Sequence, residues 1–418
     1  MSTDAMLSAA AAGTAAPKRR RMGTSRILLL IAGALVGLSL VHLLTGADDV
    51  TSQGAIQAAL QAAIPIGLAG LGGLWSERAG VVNIGLEGQM VLGTWFGAWG
   101  SLQYGPWIGL AIGIAGGAVG GLIHALMTVT FGVDHIISGV AMTILAPGLT
   151  RYLSFITWGS AGATQSPALQ RDQIVRRVSV PYVDRLEGLE KHHWFLISDL
   201  AGVLRGLLVQ VSLVTILAVL LIVLTWVVLW RSPFGLRVRS VGEDPRAAES
   251  LGINVYKYKY YAVVISGAMA GLGGVYLSTV SATIYRDLQT GGRGYIGLAA
   301  MIFGNWRPGG LALGASLFGY TDALQLRRGS ESVHALLILV GALLLALAVW
   351  ELRRRNKVVA IASAVLGILS YVIFFTVDKI PTALVQAAPY ITVLVVLALA
   401  AQRLRMPAAD GKPYRRGG

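Results

Sequence analysis

Residues 207–230 read LLVQVSLVTILAVLLIVLTWVVLW, and residues 231–260, which follow directly, read RSPFGLRVRSVGEDPRAAESLGINVYKYKY. The first stretch carries no charged side chain and is long enough to cross a bilayer, which takes about 20 apolar residues as a helix. The second is polar and basic, and a further apolar run opens at its end, near 259–281. An apolar run, a charged segment and another apolar run form the unit of a polytopic membrane protein. In lipid, only helices and closed barrels satisfy every backbone N–H and C=O internally. A barrel would show alternating segments of about ten residues, and the chain has none. Working outward, the helical unit repeats, with spans expected near 27–45, 55–74, 81–102, 107–131, 135–154, 207–230, 259–281, 295–305, 309–325, 333–351, 358–376 and 384–402. The fold class that follows is all-α, a polytopic transmembrane bundle of about 10–12 spans. The run 295–305 is too short to cross alone and reads as a half-helix, joined through Asn305-Trp306-Arg307-Pro308 to the next helix.

The charged segment contains a short helix with its own start and stop. Asp244 is a good N-cap, Pro245 fits the first helical position and Gly252 fits the position just past the end. Between them lie about two turns, with Ala247, Ala248 and Leu251 expected on one face. So short a helix is marginal in water and needs something to pack against. It is either an ordinary charged loop or a docking helix for a cytoplasmic partner, and the rest of the chain favours the second.

Composition agrees with the span count. Of 418 residues, 55% are hydrophobic and 13% charged, against about 25% charged in soluble domains. Glycine, at 53 residues, exceeds the usual share of about 7% and suits close helix packing in lipid. A net charge of +14 raises nucleic-acid binding. The basic residues, however, cluster at span ends, in Lys18–Arg21, Arg353–Arg355 and Arg415–Arg416, where topology explains them better. Cysteine is absent, which excludes disulfides and thiol catalysis. Residues 1–26, Ala-rich and basic, are expected to be disordered; the run that follows is long for a signal peptide and lacks a cleavage site, so it reads as a retained span.

With the N-terminus inside, and 295–305 and 309–325 counted as a pair returning to its own side, the loops 76–80, 231–258 and 352–357 and the C-terminus all fall inside. The two termini and the last two of those loops are basic, as the positive-inside rule requires; Arg327 and Arg328 are exceptions. A long loop, 155–205, falls outside and carries His192 and His193 without metal spacing. Two stretches look alike, IGLEGQMVLG from Ile84 and IGLAAMIFG from Ile296. Such an internal repeat is common in transporters, with the pathway at the repeat interface.

Residues 75–90, WSERAGVVNIGLEGQM, hold the polar groups of the first half. Asn83 and Glu87 stand at i and i+4, on one face if the stretch is helical. An ionisable Glu87 at membrane depth is costly unless paired or facing water. Either it lines a substrate path together with Asn83, or it is structural, bonded to backbone groups freed by nearby glycines. Glu77 and Arg78 read as a local ion pair or cap. The GxxxG spacings at Gly113/Gly117, Gly116/Gly120, Gly267/Gly271 and Gly310/Gly314 indicate helix contact and no more. His124 and His135 are lone histidines, more often structural than catalytic. Neither a phosphate-binding GxxxxGK[ST] nor a dinucleotide GxGxxG, HExxH or GxSxG occurs. The spans hold almost no Asp or Glu beyond Glu87 and Asp322, so buried acid pairs of the kind used by proton-coupled carriers are scarce, and a motor, if there is one, is expected elsewhere. No cofactor and no metal is expected on this one.

The stretch ERAGVVNIGLEGQM, the loop GLRVRSVGEDPRAAESLGIN, and GYIGLAAMIFGNWRPGG followed by GYTDALQLR resemble permease subunits of bacterial ABC importers. The group is that of the branched-chain amino acid, ribose and nucleoside permeases, closest to its simple-sugar or purine-nucleoside type. The resemblance covers roughly 55–330 and 380–402. It implies a transport subunit that is not itself an enzyme, lying in membrane lipid of the bacterial inner membrane with both termini cytoplasmic. It further implies pairing with a second permease, similar but non-identical, a separate ABC ATPase and an extracytoplasmic solute-binding lipoprotein, with no nucleic acid. By position, Gly242, Glu243, Asp244, Ala247, Ala248 and Gly252 would form the ATPase contact, and Leu251 shares their helix. Asn83 and Glu87 match the family's opening motif.

The implied layout is a tail at 1–26, a permease core at 27–326 with the coupling loop at 231–258, an extra pair of spans at 327–380, a closing span at 381–402 and a basic tail at 403–418. The extra pair departs from the family pattern, which expects one closing span after DALQLR. Nucleoside uptake is the leading expectation; sugar or branched-chain amino acid uptake stands beside it. A secondary carrier or channel would need no docking helix, and a lipid enzyme would need a catalytic cluster that is not visible.

Overall fold

The computed structural model describes residues 24–47, 50–159, 164–192, 194–327, 329–377, 379–400 and 404–415. The basic run at 18–21, His193, Arg328 and Arg416 lie outside the described residues. The described chain is an all-α bundle: α1 Thr24–Thr45, α2 Gln53–Arg78, α3 Leu86–Tyr104, α4 Pro106–Ala125, α5 His135–Trp158, α6 Glu187–Lys191, α7 Ile197–Leu208, α8 Leu213–Arg231, α9 Pro233–Glu243, α10 Pro245–Ser250, α11 Val255–Tyr276, α12 Arg293–Phe303, α13 Pro308–Leu326, α14 Gly329–Arg353, α15 Lys357–Thr376 and α16 Thr382–Ala400. Helices α4 and α11 each continue into a π-helical turn, Leu126–Thr130 and Leu277–Ser281. Among the described residues seven helices are long and apolar enough to cross a membrane, α2, α4, α5, α8, α11, α14 and α15. α12 is an apolar helix of 11 residues, too short to cross.

The central layer is α2, α3, α4 and α11, with α12 and α13 laid against α2. In lipid the driving force between helices is close packing, so small residues decide which faces meet. The GxxxG pairs of α4 and α11 face one another: a Cβ on Gly117 would stand 2.3 Å from the Gly267 carbonyl oxygen, and one on Gly271 2.8 Å from that of Gly113. Backbones approach so closely only where no side chain intervenes. Large side chains such as Ile144, Leu145, Leu220 and Val365 stay exposed on the outer helices, where lipid covers them.

Contacts fix which ends share a face. His42 at the end of α1 bonds Asp199 of α7 at 2.8 Å, and the backbone N–H of Gln53 opening α2 bonds Glu190 of α6 at 3.0 Å. The far end of the bundle therefore carries 164–212. The other end, called here the loop end, carries α9, α10, the start of α1 and the segment 404–415. The described residues of the expected long loop 155–205 are folded: α6 and α7 pack together, Arg205 pairs with Glu190 and Glu187, and β1 (Arg177–Val178) pairs antiparallel with β2 (Val211–Ser212). The span expected at 207–230 accordingly starts at Leu213, because the residues before it belong to α7 and this hairpin.

The span expected at 81–102 is also corrected. Residues 79–85 are not helical, and α3 starts only at Leu86. Gly80 takes a positive φ of 77°, a conformation that glycine adopts without penalty.

Candidate functional site

The 19-residue helix α3 and the 11-residue half-helix α12 meet inside the bundle. The chain leaves α2 at Arg78, turns at Ala79-Gly80, passes through the irregular segment Val81 to Asn83, and opens α3 at Leu86. Asn83 is fully buried; its amide donates to Gln89 Oε1 and to Ser266 Oγ, each at 2.9 Å, and accepts from Gln89 Nε2 at 3.3 Å. Asn83 and Glu87 thus do not share a helix face, since Asn83 precedes the helix. Its side chain offers local and cross-helix partners in place of helical backbone bonds. His124 of α4 completes the wall: its Nε2–H donates to the Val82 carbonyl at 3.0 Å, and its Nδ1 accepts from the Ser138 hydroxyl at 2.9 Å.

Glu87 is turned toward the half-helix α12. Its two carboxylate oxygens accept the backbone N–H groups of Gly292 at 2.9 Å and Gly294 at 2.6 Å. These are unsatisfied donors at the start of α12, where the helix dipole also favours a negative charge. The approach requires glycine: a Cβ on Gly294 would stand 2.7 Å from the Glu87 Cα. The two similar stretches from Ile84 and Ile296 therefore lie on the two helices that this carboxylate joins. Arg293, beside the junction, bonds Asp322 of α13 at 2.6 Å, and Gln325 bonds the other oxygen of Asp322 at 2.6 Å.

At the loop end the structure shows the helix that the 242–252 signals predict. Asp244 accepts the N–H groups of Arg246 and Ala247 at 3.1 and 3.0 Å, and Pro245 opens α10. Gly252, at φ 79°, closes it, with the N–H of Ile253 bonded to Ala248 O and that of Gly252 to Glu249 O. This double bond pattern is a Schellman stop. Ala247, Ala248 and Leu251 do not share a face, however. Ala248 is buried against Val241 and Val255, whereas Leu251 is 81% exposed and Ala247 is exposed. Residues 233–243, read as loop, form the amphipathic helix α9, with Val238, Val241 and Gly242 buried.

Glu77 and Arg78 do not form a local pair. The indole N–H of Trp306 donates to Glu77 at 2.5 Å, and Arg78 donates to the Trp306 carbonyl at 2.7 and 3.1 Å. Arg78 also lies over the Trp230 ring and 3.9 Å from Glu243. Together they fasten the Asn305-Trp306-Arg307-Pro308 turn, which joins α12 to α13, to the end of α2.

The segment 404–415 is the largest feature that the sequence reading missed, having been expected as a basic tail. Arg405 N–H donates to Asn305 at 2.8 Å, Ala408 N–H to Glu243 at 3.2 Å, and Ala409 N–H to the Gly242 carbonyl at 3.0 Å. Tyr414 hydroxyl donates to Glu249 of α10, and its ring packs 5.5 Å from that of Tyr256. Asp410 is buried with its carboxyl against Glu77; burial pushes it up to about 7, while Glu77, the Gly411 backbone, Lys259 and Arg78 pull it down. The signal available in advance was the lone acid at 410 within an apolar-small PAAD run.

Comparison with known proteins shows what the chain as a whole is similar to. The family model described as branched-chain amino acid transport system, permease component, matches residues 55–348. The guanosine ABC transporter permease protein NupQ of Bacillus subtilis is 39% identical over 280 residues, covering 65% of this chain and 81% of that protein. The nucleoside ABC transporter permease protein NupC of Lactococcus lactis is 32% identical over 360 residues, covering 84% and 93%. A candidate glucose ABC transporter permease protein of Haloferax volcanii, TsgC13, is 36% identical over 281 residues, covering 67% and 79%. No solved structure matches the chain.

Proposed function

The chain belongs to the branched-chain amino acid transport permease family, and from that premise we propose that it forms the translocation path of an ATP-driven importer of nucleosides. That it is a multi-pass ABC transport permease, not an enzyme, follows from the family and the apolar helices. The nucleoside is the finer reading, and the observation that carries it is the likeness to permeases named for guanosine and nucleosides. A sugar is the second reading, favoured by the Haloferax relative.

A separate ABC ATPase docks on α10 and a second, non-identical permease completes the path. An extracytoplasmic binding lipoprotein delivers the cargo, and the loop end faces the cytoplasm. Of the group Gly242, Glu243, Asp244, Ala247, Ala248, Leu251 and Gly252, the exposed Glu243, Asp244, Ala247, Leu251 and Gly252 make the ATPase contact, and the buried Gly242 and Ala248 support it from beneath. Supporting this, α10 is capped at both ends and presents Ala247 and an 81% exposed Leu251 outward. A single exposed leucine is ordinary on a protein surface; here it stands on a capped helix held to the core by Ala248, which presents it at a fixed position. Within the group, Ala248 holds the helix to the core and Gly252 stops it. ATP binding that closes the ATPases bears on α10 and shifts the bundle between two access states, a rigid-body change driven by differential binding. Asn83 and Glu87 are fully engaged within the bundle, which favours scaffolding of the half-helix junction over direct contact with cargo.

The test is the double substitution Ala247→Asp, Leu251→Asp. Both positions are exposed, so membrane insertion should be unchanged while transport is lost. Normal transport by this variant removes the docking assignment. In the wild-type complex, ATPase activity stimulated by a nucleoside-loaded binding protein supports the cargo, and stimulation by glucose alone replaces it with the sugar.

A further inference from the structure

We infer that the segment 404–415 is part of the surface on which the ATPase docks, forming with α10 one composite platform. The inference rests on the docking reading above and extends it to a part of the chain that neither the coupling-loop pattern nor the family match to 55–348 reaches. A tail serving only to place positive charge at the membrane face would have no reason to fold down. This one is fastened at Asn305, Gly242, Glu243, Glu77 and Glu249. It lies over the ends of α2, α9 and the α12–α13 turn, away from the lipid-facing perimeter. Gly80 is close enough beneath it that a Cβ there would stand 3.1 Å from the Ala409 carbonyl oxygen.

Between the segment and α10 opens a concavity of about 650 Å³, lined among others by Asp244, Pro245, Arg246, Lys412, Pro413 and Arg415. Arg246, Lys412 and Arg415 are exposed. Among the described residues none of these cations has a carboxylate within 4 Å, the six ion pairs all lying elsewhere. The two acids in the same lining are held in place by backbone N–H groups, Asp244 by the start of α10 and Glu243 by Ala408, so neither reaches these cations. The platform therefore offers an apolar tip at Ala247 and Leu251 beside three exposed cations, Arg246, Lys412 and Arg415, none in an ion pair among the described residues, with the carboxylates of Glu243 and Asp244 in the same concavity. The matching partner surface is an apolar socket edged with acidic side chains. Opposite charges at a rim steer encounter and fix register, so the segment would set how the ATPase sits on α10.

The experiment uses tagged full-length protein in the native complex, extracted in mild detergent, and measures ATPase retained per permease across a NaCl series. Two variants are compared with wild type: Lys412→Glu with Arg415→Glu on the segment, and Ala247→Asp with Leu251→Asp on α10. The segment variant should retain about tenfold less ATPase, because like-charge juxtaposition is strongly unfavourable, with an unchanged Tm of the permease alone. Lys412 also bonds the Ala408 carbonyl; Arg415→Glu alone disturbs no hydrogen bond among the described residues and should show the same direction of loss. Wild-type retention by the segment variants, with loss in the α10 variant, overturns the composite platform and leaves docking on α10 standing. Wild-type retention by every variant overturns both. Unchanged ATPase with less co-purified anionic lipid assigns the cations to the membrane and likewise overturns the inference.

Discussion

Replacing Glu87 tests whether the half-helix junction depends on one carboxylate. In the wild type it accepts the N–H groups of Gly292 and Gly294 at 2.9 and 2.6 Å. Hydrogen bonds to a charged group contribute about 1.5–3 kcal/mol each, and a buried donor left without a partner costs about 1–3 kcal/mol. Glu87→Gln keeps the shape but offers one carbonyl oxygen and one NH2 group. One backbone bond survives in neutral form and the other donor faces a donor, a net loss of about 2–4 kcal/mol. Glu87→Ala strands both donors, a loss of about 3–6 kcal/mol. For a chain of this size about 2 °C of Tm follows each kcal/mol, so Glu87→Gln should melt about 4–8 °C lower in detergent, with Glu87→Ala lower still. Thermal unfolding of the purified permease, read by tryptophan fluorescence or circular dichroism, measures it. Equal Tm for wild type, Gln and Ala would refute the capping role. An unchanged Tm with lost transport would instead return Glu87 to the substrate path.

Two further outcomes follow from the same geometry. Gly294→Ala places a Cβ 2.7 Å from backbone atoms of Glu87, whereas a Cβ on Gly309, also helical, meets nothing within 4 Å. The first should lower stability by about 1–3 kcal/mol or more and the second should raise it by up to about 1 kcal/mol; melting curves showing equal shifts would contradict the junction. At the loop end, Asp410 is held at about 7 against 3.8 in a released tail. The anchored form binds the extra proton between those values, so anchorage is full below about pH 4 and weakens as pH rises to 7. The charged groups facing it, Glu77 and Arg78 from α2 and Lys259 from α11, remain on the core when the tail releases. Limited trypsin cleavage at Arg405 should quicken from pH 5.5 to 8, and Asp410→Asn should flatten that dependence. A pH-independent rate, corrected for trypsin's own profile, would refute it.

How much was legible in advance differs by the range of the interaction. Helix α10 was readable to the residue because Asp244, Pro245 and Gly252 act on backbone groups within four positions of themselves. The face assignment failed there because a helix of six residues has too little periodicity to orient; the packing of Ala248 on Val241 and Val255 set it. The break before α3 escaped a hydropathy reading because Asn83 and Gly85 sit inside an apolar run, and only the Ser266 and Gln89 partners make leaving the helix favourable.

The sequence by itself determined that this is an all-α polytopic membrane protein, where its charged loops fall and that one of them carries a capped helix. Each of those follows from local rules: the depth of hydrocarbon to be crossed and the backbone groups to be satisfied at helix ends. Only the tertiary structure decided that Glu87 caps a helix opening 205 residues later, that Glu77 holds Trp306 across 229 residues, and that Tyr414 reaches Glu249 across 165. Spans that are apolar on every side carry no stripe to say which faces meet. The choice falls to glycine contacts and to a few polar groups whose partners are distant in the chain and adjacent only once the helices have packed.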